Sequence, residues 1–186
     1  MNKKLYQESI ILIGPSGAGK SSVAEELHKI TGMPRLCLDK IANAARDTGV
    51  KRQFQGEDEF NCFMISKVLE RTKKNDEYGI VDFGAGHSVY DDILIFEDVK
   101  EMLQPFQNIV LLLPSQDEQE ALEIMKKRST GDTRNNQKFF ESPCNKALAT
   151  MTIYENGRTP SEVAEEIISK IKERKEAKTT SSGKRL

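Results

Sequence analysis

The chain has no tryptophan, only three cysteines, and aromatic residues make up just 6% of it. Cys37, Cys62 and Cys144 are far apart and lack CxxC spacing, which excludes a disulfide framework or a zinc ribbon and fits scattered reduced thiols in a cytoplasmic protein. No apolar run approaches the roughly 20 residues needed to cross a bilayer, so no membrane contact is expected. Two lysines precede Ile10 to Ile13 in the manner of a signal peptide, but the run is short and leads straight into glycines; it reads as a strand. A basic excess is also missing. The formal net charge is −1, leaving nothing with which to displace phosphate counterions, and nucleic acid is not expected as a partner.

What remains is a chain of 186 residues, 37% hydrophobic and 31% charged, which suits one α/β domain. Short isoleucine- and leucine-rich runs at Ser9–Ile13, Arg35–Leu38, Tyr78–Val81, Ile109–Leu113 and Met151–Tyr154 alternate with segments of helical spacing. Those segments cover Lys20–Ile30, Ile41–Thr48, Glu59–Lys73, Asp91–Leu103, Glu118–Lys127 and Lys138–Leu148. A last helix opens at Thr159-Pro160-Ser161-Glu162, with Thr159 at the N-cap, Pro160 first in the helix and Glu162 three residues after the cap. Alternation of this kind predicts a parallel sheet wound by right-handed crossovers, with ligands at the carboxyl ends of its strands. The single domain is expected over residues 1–173, followed by a disordered tail at 174–186.

Gly14-Pro15-Ser16-Gly17-Ala18-Gly19-Lys20-Ser21 matches G-x-x-x-x-G-K-[ST] without exception. Small residues let successive backbone N–H groups curl into an anion nest, and the next helix aims its positive end at the same point. Lys20 is then the group for β- and γ-phosphates, solvent-facing until phosphate arrives, while the Ser21 hydroxyl ligates magnesium. ATP with Mg²⁺ is the expected cofactor pair, and the loop extends to Ser22. Two acids close strands beside this loop. Asp82 is the candidate second magnesium residue, and Asp39 the candidate for meeting an acceptor hydroxyl as a base or through the metal shell. Each also suits a plainer role, Asp39 as a helix N-cap and Asp82 as a turn initiator. Gly84-Ala85-Gly86 would let a substrate approach the backbone, and His87 beyond it reads as a loop histidine rather than a catalyst.

The residues 128–137, RSTGDTRNNQ, contain no apolar side chain and predict an exposed lid. Arg128 and Arg134 could swing in from it onto a moving phosphate, or could remain solvated loop arginines.

With these motifs the chain resembles the shikimate kinase-like branch of the P-loop proteins with the nucleoside monophosphate kinase fold. The resemblance runs from Ile10 to Ile171 and rests most strongly on the phosphate loop, then on Asp39, on Gly56-Glu57 with Phe60, and on the Gly84–Gly86 loop. It implies a three-layer fold with a five-stranded parallel sheet of order 2-3-1-4-5, a closing lid, and adenine held near Arg158 and Pro160. It also implies transfer of the γ-phosphate of ATP to a hydroxyl of a small metabolite. The family's carboxylate-gripping arginine directly follows the phenylalanine matching Phe60, and Asn61 stands there instead. Met64 occupies the position of an expected glutamate, and no arginine occurs on the segment Lys138–Leu148 after the lid. Bidentate arginine is the natural grip on a carboxylate, so the sequence retains the ATP machinery without the shikimate clamp. A shikimate kinase with altered contacts, drawing on Lys67, Arg71, Lys138 or Lys146, and a non-catalytic ATP-binding regulator are the alternatives. The sequence leaves monomer and dimer equally open.

Overall fold

The computed structural model describes residues 3–75, 79–128 and 135–182. Its centre is a parallel sheet of β1 (Ile10–Ile13), β2 (Arg35–Cys37), β3 (Ile80–Asp82), β4 (Asn108–Leu113) and β5 (Met151–Tyr154), in the order β2-β3-β1-β4-β5. Ile11 of β1 lies level with Val81 on one side and Ile109 on the other. The strands are nearly continuous apolar runs because helices cover both faces, leaving no side of β1 or β4 to water.

Alternation along β1 divides its side chains between two layers. Ile11 and Ile13 join a core with Leu38 and Ala42 of α3 (Leu38–Asp47), Phe60 and Ile65 of α4 (Glu57–Asn75), and Val99 and Leu103 of α5 (Ile93–Leu103). Ile10 and Leu12 face the opposite way, onto Val23 and Leu27 of α2 (Lys20–Thr31) and Val163 and Ile167 of the C-terminal helix. With β1 central in the strand order, its end and the loop after it come to the middle of one rim.

Several boundaries differ from the sequence expectations for local reasons. A short helix, α1 (Lys3–Glu8), precedes β1; Tyr6 packs edge-on against Phe106 with ring centroids 5.0 Å apart, and its carbonyl accepts from Gln107 N. Leu38 begins α3 instead of ending β2, which puts Asp39 in that helix's first turn. Helix α5 starts at Ile93 because the Asp92 carboxylate caps it, accepting from Leu94 N and Ile95 N. After α6 (Glu118–Arg128), the helix expected over Lys138–Leu148 divides into α7 (Asn136–Glu141) and α8 (Pro143–Leu148). Pro143 cannot donate to the preceding turn, and Ser142 caps the new helix through Cys144 N.

The last helix, α9 (Pro160–Ser182), opens with a reciprocal capping box. Thr159 N donates to Glu162 Oε2 at 2.8 Å, and Glu162 N donates to Thr159 Oγ1 at 3.3 Å. The tail expected from residue 174 is instead a continuation of this helix through Ser182. Arg174 donates to the carbonyl of Gln107 and Lys175 to the carboxylate of Glu8, which ties the extra turns to the body of the domain. Among the described residues, no helix is long and apolar enough to cross a membrane.

Candidate active site

A cleft of about 480 Å³ opens where β1, β3 and the starts of α2 and α3 converge. Its floor is the phosphate loop, with Ser16, Gly17, Gly19, Lys20, Ser21 and Ser22 all lining it. Gly14, Pro15 and Ala18 do not line it; they shape the loop from behind, Ala18 being buried and the other two offering carbonyls.

Those carbonyls hold Lys20, whose Nζ donates to Gly14 O and Pro15 O at 2.9 Å each. Lys20 is 8% exposed, so the lysine expected to face solvent is folded into the loop. Burial lowers its pKa from the ordinary lysine value, and the negative fields of Asp82 and Asp39 oppose that shift. Oxygens of a bound phosphate would relieve this desolvation, since they supply the counter-charge that two neutral carbonyls lack.

Asp82 ends β3 and is almost fully buried. Its carboxylate accepts from Ser21 Oγ at 2.7 Å and lies 3.4 Å from Arg35 Nη2, while Arg35 also pairs with Glu25. A hydroxyl and a carboxylate side by side at the helix start form a hard-oxygen pair suited to Mg²⁺, which takes few protein ligands and completes its shell with water and phosphate. The residues present therefore fit the ion.

Arg128, Arg158 and Pro160 reach the far end of the cleft. Arg128 donates to Glu155, a buried carboxylate at the end of β5. Burial raises the Glu155 pKa, and the Arg128 guanidinium works against the rise. Glu155 stands so close to the loop that a Cβ on Gly19 would be 2.0 Å from its Oε1. Arg158 is fixed by Glu166 at 2.6 Å and by the carbonyls of Glu155 and Tyr154. Arg134, the second lid arginine of the sequence analysis, lies outside the described residues, as does most of the lid.

Asp39 projects from the first turn of α3 into the same cleft and also lines a second cavity of about 340 Å³. It shares that cavity with Arg46, Glu57, Asn61, His87 and Lys138, among others. Gly84 carries no side chain because Asp39 occupies the space: a Cβ there would lie 1.7 Å from Asp39 Oδ1. Ala85 lines the phosphate cleft and Gly86 the second cavity, so the glycine loop forms the partition between them. Asn61 donates through Nδ2 to Gly86 O at 3.1 Å. Met64, by contrast, is buried in the core.

His87, expected as a loop histidine, lies in the short 3-10 turn Ala85–Ser88 and is buried there. It is 2% exposed, 3.5 Å from Asp39 through Nδ1, and burial pushes its pKa down to about 4, so the ring is neutral at physiological pH. Of the four basic residues considered as substitutes for the missing arginines, Lys138 lines the cavity. Arg46, Phe83 and Glu155 were missed in the sequence. Arg46 carried a faint signal, lying seven residues beyond Asp39, about two helical turns along the same helix. Glu155 and Phe83 offered none beyond following a strand.

Residues 10–137 match the family described as AAA domain. The shikimate kinase of Enterococcus faecalis is 29% identical over 182 residues, covering 89% of this chain and 99% of that protein. A solved shikimate kinase from Acinetobacter baumannii, in complex with shikimate, superimposes with a TM-score of 0.67 at 20% identity, over 93% of this chain and 98% of the other. A gluconokinase from Sinorhizobium meliloti gives 0.61 at 17% identity, over 95% and 98%. At these identities the two structures speak for the fold alone, and this chain's own strand order, β2-β3-β1-β4-β5, is the expected one. With a complete phosphate loop, the expected strand order and a family match across more than half its length, this chain belongs to the AAA domain family, as a P-loop kinase of shikimate kinase-like fold.

Proposed function

We propose that this protein transfers the γ-phosphate of ATP to a hydroxyl of a small metabolite. The observation that carries the reading is the position of Asp39, which lines both the phosphate cleft and the second cavity. A carboxylate at such a junction can accept a hydrogen bond from an acceptor hydroxyl, orient its oxygen towards the phosphorus and take up its proton as the bond forms. A nucleotide-binding regulator has no need of an acid there.

The other residues take the roles that phosphoryl transfer requires, which are mainly positioning and charge. Lys20 would leave the Gly14 and Pro15 carbonyls for β- and γ-phosphate oxygens. Ser21 and Asp82 would hold Mg²⁺, which supplies neutralisation of phosphate charge when bound. Arg128 and Arg134 would bring positive charge from the lid, and Arg158 with Pro160 would border the adenine. Gly84, Ala85 and Gly86 would let the acceptor lie against backbone. Shikimate phosphorylation, the activity named for the Enterococcus faecalis relative, is the second reading, favoured by near full-length similarity and opposed by Asn61.

The test is a metabolite screen for thermal stabilisation in the presence of a non-hydrolysable ATP analogue, followed by ADP release with each hit. Wild-type protein should release ADP in step with phosphorylation of the acceptor, and Asp39→Asn should bind both ligands while turning over at least about 10²-fold more slowly. Undiminished turnover by Asp39→Asn would remove the assigned base.

A further inference from the structure

We infer that the acceptor is a polyol without an anionic group, and that a protonated amine on it improves binding. This rests on the kinase reading above and adds the class of substrate. The argument begins with charge in the second cavity. Among its described lining residues, the four carboxylates of Asp39, Glu57, Asp58 and Asp91 face only two cations, Arg46 and Lys138. Both cations are already engaged. Arg46 Nη2 is 2.8 Å from Glu57 and its guanidinium lies over the Phe60 ring at 4.6 Å; Lys138 Nζ is 2.7 Å from Asp91. A carboxylate ligand would have to compete for these cations with Asp91, or with Glu57, which Lys51 Nζ also approaches at 3.4 Å.

The unspent hydrogen-bonding capacity points the same way. Asn61 Oδ1 is buried without a partner, since Nδ2 is committed to Gly86 O. Both ring nitrogens of His87 are likewise buried and unpartnered, and the neutral ring offers one donor and one acceptor. Asp39 adds a carboxylate that no described lysine or arginine side chain bonds, with His87 as its nearest recorded contact at 3.5 Å. Three acceptor groups and one donor around a small cavity match the O–H and N–H groups of a hydroxylated amine or neutral polyol. Asn61, which stands where the resemblance implies an arginine, and His87 thus become the specificity-determining pair.

The probes are three compounds of one carbon skeleton, serinol, glycerol and glycerate, titrated into the ADP-bound protein. Backbone and side-chain NMR signals of Asn61, Gly86 and His87 are followed. The expected order of affinity is serinol, then glycerol, then glycerate, with about tenfold or more between the first and last. Asn61→Leu should erase the shifts, and Asp39→Asn, which keeps the shape, should compress the serinol preference. Glycerate binding as tightly as serinol, or no shift at these signals with any of the three, would overturn the inference. ADP titration, read at Gly17 and Ser21, reports separately on the nucleotide cleft; a protein that fails there fails the kinase reading itself.

Discussion

Single residues in this site are held in states that their chemistry alone would disfavour, and each such state is measurable. His87 is the clearest case, with its pKa lowered from 6.5 to about 4 mainly by burial. A depressed pKa means that the folded protein prefers the neutral ring, so its contribution to stability is complete above the unfolded value. As pH falls from about 6.5 towards 4 the unfolded chain takes up a proton that the folded one refuses, and that contribution is lost. At 1.36 kcal/mol per unit the loss is of order 3 kcal/mol. Denaturant unfolding across that pH range should therefore show a steeper decline for wild type than for His87→Gln, and parallel curves would mean that the ring is hydrated. Lys20 is likewise buried, on the carbonyls of Gly14 and Pro15, and burial lowers its pKa too. Lys20→Ala is expected to keep its far-UV spectrum while losing measurable ATP turnover. Turnover at the wild-type rate would refute its role.

At the scale of elements, the partition loop Gly84–Gly86 and helix α3 meet through one side chain. Gly84→Ala would drive a methyl group into the Asp39 carboxylate, which is flexible and free to swing aside, so the fold should survive. Nucleotide affinity should change less than about twofold, while phosphoryl transfer falls by an order of magnitude or more. An equal loss in both would mean that the loop serves the nucleotide. The phosphate loop was legible in the sequence because its chemistry dictates residue types at fixed spacing. The strands were legible because buried parallel strands are short apolar runs. Arg46 and Glu155 were not, because their relevance arises only where α3 packs on α4 and where β5 ends beside the loop. The continuation of α9 was hidden for a similar reason. Its polar turns have little apolar periodicity, and their partners Gln107 and Glu8 lie 67 and 167 residues away. Arg174→Ala, by removing the bond to Gln107, should lower stability by about 1 kcal/mol in denaturant melts without altering nucleotide binding. No change in stability would mark the extra turns as unsupported.

Across the whole molecule, two cavities share a wall and one carboxylate, Asp39. The nucleotide side keeps every position of its motif, and its Ser21–Asp82 pair should make affinity metal-dependent. Asp82→Asn is predicted to weaken ATP binding in Mg²⁺ more than in EDTA, whereas equal effects in the two titrations would assign Asp82 a structural role. The second cavity, proposed for the acceptor, presents Asn61 where the resemblance implies an arginine, and its described cations pair with acids. A charge-assisted contact to a carboxylate contributes about 1.5–3 kcal/mol, so the absence of the two arginines that the resemblance implies would weaken a carboxylate substrate by on the order of 10²-fold or more. Steady-state kinetics with saturating MgATP and rising shikimate tests this division directly. The account predicts slow or undetectable phosphorylation alongside ordinary ATP binding, and a kcat/KM of about 10⁴ M⁻¹s⁻¹ or above would contradict it.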